Sequence, residues 1–375
     1  MGVACAPDDA RDGSDLIYQA DAALYHAKST GRSRAASAHE VDPNPVFPKA
    51  TLRRLAASGL VGRDADLEKV SHALAAVSEG KSQWVLFEGG PGLGKTAMLR
   101  TVGKNLERDP SLLVVTAAGV KQEEFRPYYL LTQILVALLS APTVDGAKAL
   151  ATLTPEQTSH LGVILPRVGN GRVDTLDGSD IKRRAAIFET AARLVATLAA
   201  ATPLALVLDD LQFADESTLF VLRSLMRRAD VTLLVCASAM EVLDLSASTQ
   251  EIPLTRFRAR YERELGIACM RLRPLRSPEI TTHLNAVFPR LNAPDTLVGQ
   301  VASTTQGNPL FLSEIIRKLV LDQKVGLAGQ EWAIRPLEEG YLPRSLEEIV
   351  AQKIDATTTV ASCWRMHPHW ERTCP

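Results

Sequence analysis

Eight consecutive residues, Gly89-Gly-Pro-Gly-Leu-Gly-Lys95-Thr96, follow the apolar run Trp84-Val-Leu-Phe-Glu88 and open a helical pattern, Thr96-Ala-Met-Leu-Arg-Thr-Val. Glycines at 89, 90, 92 and 94 allow backbone angles that Cβ-bearing residues resist, so successive N–H groups can turn inward around an anion. Pro91, Leu93 and Ala97 complete the stretch of backbone that would wrap it. A helix starting near Lys95 adds unpaired N-terminal amides and the positive end of its dipole. Lys95 offers a mobile cation for the outer phosphates, and the Thr96 hydroxyl is a hard oxygen ligand suited to Mg²⁺. The spacing is G-x-x-x-x-G-K-[ST] in its strand–turn–helix setting, and it predicts a loop that binds a nucleoside triphosphate. No guanine-selective motif accompanies it.

A second pair of residues bears on the same chemistry. Pro203-Leu-Ala-Leu-Val-Leu-Asp209-Asp210 is a continuous apolar run ending in two carboxylates. A strand covered on both faces reads this way, and ligands of open α/β sheets bind beyond the C-terminal ends of such strands. Asp209 is the candidate for the Mg²⁺ shell, directly or through water, and Asp210 for orienting or activating an attacking water. The alternative is an acidic turn leading into the next helix, with Asp215 as N-cap of Glu216-Ser-Thr-Leu-Phe.

The elements that must position these groups alternate between strand and helix. Leu112–Thr116, Val231–Cys236 and Ile267–Leu272 read as further buried strands, and Tyr128–Leu139 as a strongly apolar helix. Residues 181–200 form a long helix with Ile187, Ala191, Leu194 and Leu198 on one face, and Leu219, Leu222 and Leu225 mark another. Residues 151–179, rich in Gly, Pro and Thr, read as an irregular surface excursion. Cys236 reads as a small buried hydrophobe. Beyond Pro274 the pattern turns helical. Ser277-Pro-Glu-Ile starts a helix with Ser as N-cap, Thr296–Thr304 forms another, and Phe311–Leu321 follows the break Gln306-Gly-Asn-Pro-Leu310. Ser345-Leu-Glu-Glu348 reads as a capping box. The expected fold class is therefore α/β, a P-loop NTPase with a parallel sheet flanked by helices, followed by a mostly helical lid domain.

Bulk properties narrow the setting. A chain of 375 residues with 46% hydrophobic and 23% charged residues has room for two ordinary domains. Its formal net charge of −1 argues against a broad basic nucleic-acid surface. Five scattered cysteines, with no C-x-x-C pair, indicate neither a disulfide framework nor a zinc site. No apolar run reaches the roughly 20 residues that cross a bilayer, and no signal peptide is visible, so a cytoplasmic location is expected.

Two resemblances add to this. From Leu60 to about Ile354 the chain resembles the AAA/STAND class of signalling ATPases. It does so through Val61-Gly-Arg63 with Asp66-Leu67, the glycine-rich loop, Leu208-Asp-Asp-Leu-Gln-Phe-Ala-Asp215, Gly307-Asn-Pro-Leu-Phe-Leu312 and Leu342-Pro-Arg-Ser345, in that order. The resemblance implies ATP with Mg²⁺, a switch function, a protein partner or self-association, Arg63 near the adenine and Pro309 closing the nucleotide pocket. From composition alone, Arg63 reads instead as a solvated residue at a helix start. In related ATPases the strand corresponding to Val231–Cys236 ends with a polar sensor for the γ-phosphate, and by that resemblance Ser238 is the candidate here. Relatives commonly carry an Arg where this chain has Ala239, which implies slow or assembly-dependent hydrolysis. Arg227 and Arg228 are candidate arginine fingers, although basic residues at a helix end also complement its dipole.

Gln19-Ala-Asp-Ala-Ala-Leu-Tyr-His-Ala-Lys28-Ser-Thr-Gly-Arg32 resembles the closing helix of GGDEF-type diguanylate cyclases, with Met1-Gly-Val-Ala resembling the strand before it. The signature turn of that family is not in the chain, so the resemblance implies a remnant, a truncated piece of a larger regulator in which cyclase activity is not expected; a fragment of a diguanylate cyclase making cyclic di-GMP is the alternative reading. The expected organisation is a remnant over 1–38, a Pro-rich linker over 39–57, a P-loop core over 58–245, and the last strand with the helical lid over 246–355. A tail of atypical composition closes the chain at 356–375. Cys363, His367, His369 and Cys374 in that tail invite a metal reading, against which stand the intervening Pro and the lack of supporting residues.

Overall fold

A computed structural model describes residues 59–123, 126–166, 181–241, 252–291 and 295–328 without interruption, with short pieces at 2–6, 35–37, 51–52, 331–335, 337–338 and 340–343 and isolated positions elsewhere. The helix expected over 15–28, with Lys28 and Arg32, the linker, and the tail at 356–375 lie essentially outside the described residues. Near the N-terminus β1 (Gly2–Val3) pairs in parallel with β2 (Ala36–Ser37).

The chain divides into two compact units, one of them running from Gly62 to Arg273. It opens with helix α1 (Asp64–Ser78), which buries Val70, Ala73 and Val77. Strand β3 (Gln83–Gly89) leads through the glycine-rich loop into α2 (Lys95–Leu106), and β4 (Leu113–Ala118) follows. Next come α3 (Tyr129–Leu139), α4 (Gly146–Ala151), α5 (Pro155–Ile164) and α6 (Ile181–Leu198). Strand β5 (Leu204–Asp209), α7 (Glu216–Met226), β6 (Leu233–Met240), α8 (Pro253–Leu265) and β7 (Ala268–Arg271) complete the unit.

The five strands β3 to β7 form one sheet in the order β4-β5-β6-β3-β7, every pairing parallel. This is the α/β architecture expected, a P-loop NTPase-like sheet with helices on its faces. Parallel strands joined by helical crossovers bury both faces, which accounts for the unbroken apolar runs of β5 and β6. The unit extends past the boundary expected at 245, because β7 pairs with β3 along Val85 to Glu88 and so belongs to the sheet.

Two expectations need correction. Residues 155–164 are a helix, not irregular chain, started by a capping box in which Thr154 and Gln157 exchange bonds of 3.2 and 3.0 Å. Strand β6 runs four residues beyond Cys236, so Ser238 sits within the sheet rather than after it.

The other unit comprises Met1–Val61 and Pro274 to the C-terminus. Its described part is mostly helical, with α9 (Ser277–Val287), α10 (Asp295–Thr305) and α11 (Pro309–Leu321), followed by an antiparallel pair, β8 (Val325–Ala328) and β9 (Glu331–Ile334). Phe288, Phe311, Ile315, Ile316 and Trp332 share its core. Ser277 is the first helical residue of α9, with Arg276 one place earlier as the cap. Asn308 accepts from the amides of Leu310 and Phe311, so α11 begins at Pro309, two residues sooner than the break suggested. Gly307, at φ 72°, lies against Leu275. A Cβ there would stand 2.1 Å from the Leu275 carbonyl oxygen, so only glycine fits. The Glu348 amide donates to Ser345 Oγ at 3.3 Å, as the capping pattern predicts.

Candidate functional site

Strand β3 ends at Gly89, and the chain then turns through Gly92 (φ 76°) and Gly94 (φ 90°), angles reserved for residues without a Cβ. Gly94 is the residue preceding α2, and its carbonyl already accepts the Met98 amide at 2.8 Å. Gly89 has a different reason to be glycine: a Cβ would come within 3.3 Å of the Leu272 carbonyl oxygen and 3.2 Å of the Leu93 side chain. Pro91, Thr96 and Ala97 are exposed on this turn, and Gly90 and Leu93 are half-buried. Lys95 is 9% exposed. Its Nζ folds back to donate to the carbonyls of Gly89 and Gly90, at 2.8 and 2.9 Å.

Arg63 is 3% exposed, which overturns the reading of a solvated helix-start residue. Its Nη2 donates to the Leu93 carbonyl in the glycine-rich loop at 3.2 Å and to the Arg273 carbonyl at 2.6 Å. The guanidinium thus braces the loop from behind, using the planar fork that lysine lacks.

Strand β5 ends at Asp209, and β6 lies between β5 and β3. Leu208 pairs with Ala237, and Ser238 with Phe87, so Asp209, Ser238 and Gly89 reach the same C-terminal edge of the sheet. Two strand spacings, about 9.5 Å, separate β5 from β3. Lys95 and Asp209 therefore serve one edge.

The carboxylate end is held by side chains. Ser238, fully buried, donates from Oγ to Asp209 Oδ1 at 2.5 Å and accepts the Asp210 amide at 3.0 Å. Asp210 is left-handed (φ 51°, ψ 48°) and starts a single 3₁₀ turn, Leu211–Phe213. Gln212 of that turn, 4% exposed, donates from Nε2 to Asp210 Oδ1 at 3.0 Å, while its Oε1 accepts the Met240 amide at 3.2 Å. Gly119, just beyond β4, donates to the Asp209 carbonyl at 2.8 Å. A Cβ on Gly119 would stand 2.4 Å from the Asp210 carbonyl oxygen.

Asp215 does precede α7, yet its carboxylate bonds the Thr218 hydroxyl and the Tyr128 amide rather than the first amides of the helix. Burial raises the pKa of Tyr128. Glu88, 3% exposed and next to the loop, pairs with Arg258 of α8, whose Nε also meets Glu262 at 3.0 Å. Burial opposes the charge of Arg258, but the neighbouring carboxylates override it and its pKa rises. Cys236 is fully buried and its thiol is pushed up to about 12, consistent with a packing role. Arg228 is engaged by Asp230 through two bonds of 2.9 and 2.8 Å, and Arg227 meets Glu264 at 3.4 Å. Pro309 belongs to the other unit, where it is the first residue of α11. Gln212, Gly119, Glu88 and Arg258 were not picked out from the sequence. Gln212 carried the one usable signal, a buried-type polar residue two places after a candidate catalytic carboxylate.

The sheet order, the glycine-rich loop entering α2, and the carboxylates on the strand next but one define the P-loop NTPase class of fold. Residues 59–236 match the family model described as AAA ATPase domain. No curated protein matches the chain in sequence. Among solved structures, the chain is similar to Aeropyrum pernix ORC1 in complex with DNA, at 16% identity and a TM-score of 0.45, covering 73% of this chain and 63% of that one. Drosophila ORC bound to DNA gives 16% identity and a TM-score of 0.41, over 73% of this chain and 66% of that one. The Escherichia coli MS115-1 HORMA:CdnC:Trip13 complex gives 12% and 0.36, over 69% and 76%. The alignments thus span a little under two thirds of the first two structures. Among the described residues, no helix is long and apolar enough to cross a membrane, and no cluster of three metal-ligating side chains occurs.

Proposed function

We propose that this chain binds ATP with Mg²⁺ at the C-terminal edge of its parallel sheet and works as a nucleotide-operated switch that hydrolyses ATP slowly. The observation that carries this is the common edge of the glycine-rich loop and Asp209, with Ser238 bonded to Asp209 on the intervening strand. The residues suit the ligand. Left-handed glycines at 92 and 94 aim amides at an anion, and the first turn of α2 has donors to spare. Thr96 and Asp209 together offer the hard oxygens that Mg²⁺ takes, as one or two protein ligands beside phosphate and water.

In this reading the amides of Gly89, Gly90, Pro91–Gly94 and Ala97 embrace the phosphates, proline contributing shape alone. Lys95 leaves the carbonyls of Gly89 and Gly90 for the β- and γ-phosphate oxygens. Arg63 holds Leu93, and through it the loop, next to the base. Thr96 and Asp209 would hold the Mg²⁺, whose positive charge, when bound, would offset charge developing on the phosphates. Asp210 orients a water and accepts its proton as the water oxygen bonds to the γ-phosphorus. The bond from that phosphorus to the β,γ-bridging oxygen breaks, and its electron pair leaves with ADP. Lys95→Ala is expected to abolish ATP binding in isothermal titration; full affinity in that variant refutes the assignment.

A second reading, ATP binding without meaningful turnover, has its own support. Ala239 stands where an arginine is expected by resemblance, and Arg228 is occupied by Asp230 within the chain. Phosphate release measured at rising protein concentration separates the two. A rate per chain that climbs with concentration favours hydrolysis completed by a neighbouring copy. A signalling role with a protein partner and an N-terminal GGDEF-type remnant remain parts of this proposal that rest on the resemblances.

A further inference from the structure

We infer that Gln212 is a positioning residue for Asp210, locking the one carboxylate that faces the attacking water. This rests on the reading of Asp210 as the water-orienting group. Asp210 is held at φ 51°, a conformation that L-residues adopt sparingly and that persists where surroundings over-determine it. Three contacts do so. Ser238 Oγ takes its amide at 3.0 Å, Gly119 leaves room for its carbonyl, and Gln212 Nε2 takes Oδ1 at 3.0 Å. The first two secure the backbone; the third alone secures the carboxylate.

Gln212 is well suited to the task. It is 4% exposed, and its other amide atom, Oε1, accepts from the Met240 amide at 3.2 Å, at the end of β6. That second bond fixes which end of the amide faces Asp210, because a backbone N–H demands the oxygen. With Oδ1 committed to Gln212, the lone pairs of Oδ2 are the ones left for a water. Proton acceptance from water depends on sub-ångström placement of the acceptor, so freeing this carboxylate is expected to affect turnover more than nucleotide binding.

Three variants in the full chain test this, read by steady-state hydrolysis with Mg²⁺ and by calorimetric binding of ADP alone and of ADP–aluminium fluoride with Mg²⁺. Gln212→Ala is expected to lower kcat about tenfold and weaken the ADP–aluminium fluoride complex to a similar degree, with ADP affinity within about twofold of the parent. Gln212→Glu keeps the bond to Met240. It puts an oxygen where the amide donor stood, so it is expected to lower kcat at least as far as Gln212→Ala, with ADP affinity again within about twofold of the parent. Asp210→Asn reports on the reading beneath: an unchanged kcat there removes the role of Asp210 itself. If Asp210→Asn is inactive while both Gln212 variants match the parent in kcat and analogue binding, the positioning role is overturned and the role of Asp210 stands. Equal losses of ADP and analogue affinity in Gln212→Ala would also overturn it, since they would mark a general defect of the fold.

Discussion

At the end of β3 the functional surface is main chain: glycines at 89, 90, 92 and 94 expose amides, and Lys95 folds onto two carbonyls of the same loop. At the end of β5 it is side chain: two carboxylates held by Ser238 and Gln212 and packed beneath Gly119. The first end is built to move, because a phosphate can replace the carbonyls as partner for Lys95. The second is built to stay, because one oxygen of each carboxylate and the Asp210 amide are bonded to a neighbouring strand or turn. In the proposed function a cradle of amides would tolerate rearrangement around its anion, whereas a metal ligand and a proton acceptor would work only within a narrow geometry.

Breaking the support behind the β3 end is expected to have the largest effect on stability. Arg258→Ala leaves Glu88 buried without its partner, at a cost of about 3 kcal/mol, and Arg258→Met with Glu88→Leu should recover most of it in urea denaturation. A full recovery by Arg258→Met alone would show that the pair does not hold this end. Next is Gly119→Ala, where the new methyl meets the Asp210 carbonyl. A loss of about 1–3 kcal/mol is expected, with an unchanged melting temperature counting against the packing argument.

Ser238→Ala sharpens the contrast further. Asp209 loses its hydroxyl donor and keeps only the Asp210 amide, so Mg²⁺-dependent ATP affinity should fall about tenfold while affinity in excess chelator stays the same. A loss that is identical with and without Mg²⁺ would move Ser238 from the carboxylate end to the phosphate end. The smallest expected effect lies outside this edge. Burial lowers the pKa of His283 in α9 below the ordinary histidine value, so the unfolded chain binds a proton that the folded helix refuses. Stability of this helical unit is therefore full above about pH 6.5 and declines below it. Measured against the intrinsic exchange rate, which itself slows as pH falls, amide protection in α9 should drop from pH 7.5 to 5.5, and His283→Leu should remove that drop.

Much of the site was legible in one dimension. The glycine-rich loop depends on local backbone angles, and the strand ending in Asp209-Asp210 on a local run of apolar residues, so both appear as short patterns. The helices read from the sequence had limits within a residue or two of those observed, but α4 and α8 were not read at all, and at 155–164 Thr and Gly content suggested irregular chain. There the Thr154–Gln157 capping box set the helix instead. The length of β6 was misjudged because Ala237, Ser238 and Ala239 are weakly strand-forming by type, and pairing to β3 and β5 overrides that preference.

The sequence by itself determined a loop able to bind phosphates, a carboxylate pair, and alternating strands and helices to carry them, because each of these rests on neighbours along the chain. Only the tertiary structure decided that β6 separates the two strand ends, that Ser238 and Gln212 engage the carboxylates, and that Arg63 turns inward onto Leu93. Those are contacts across 29, 2 and 30 residues. The longer two follow from strand order and burial, which no local pattern encodes. The shortest depends on a left-handed turn at Asp210 that only the packing of Gly119 and Ser238 around it sustains.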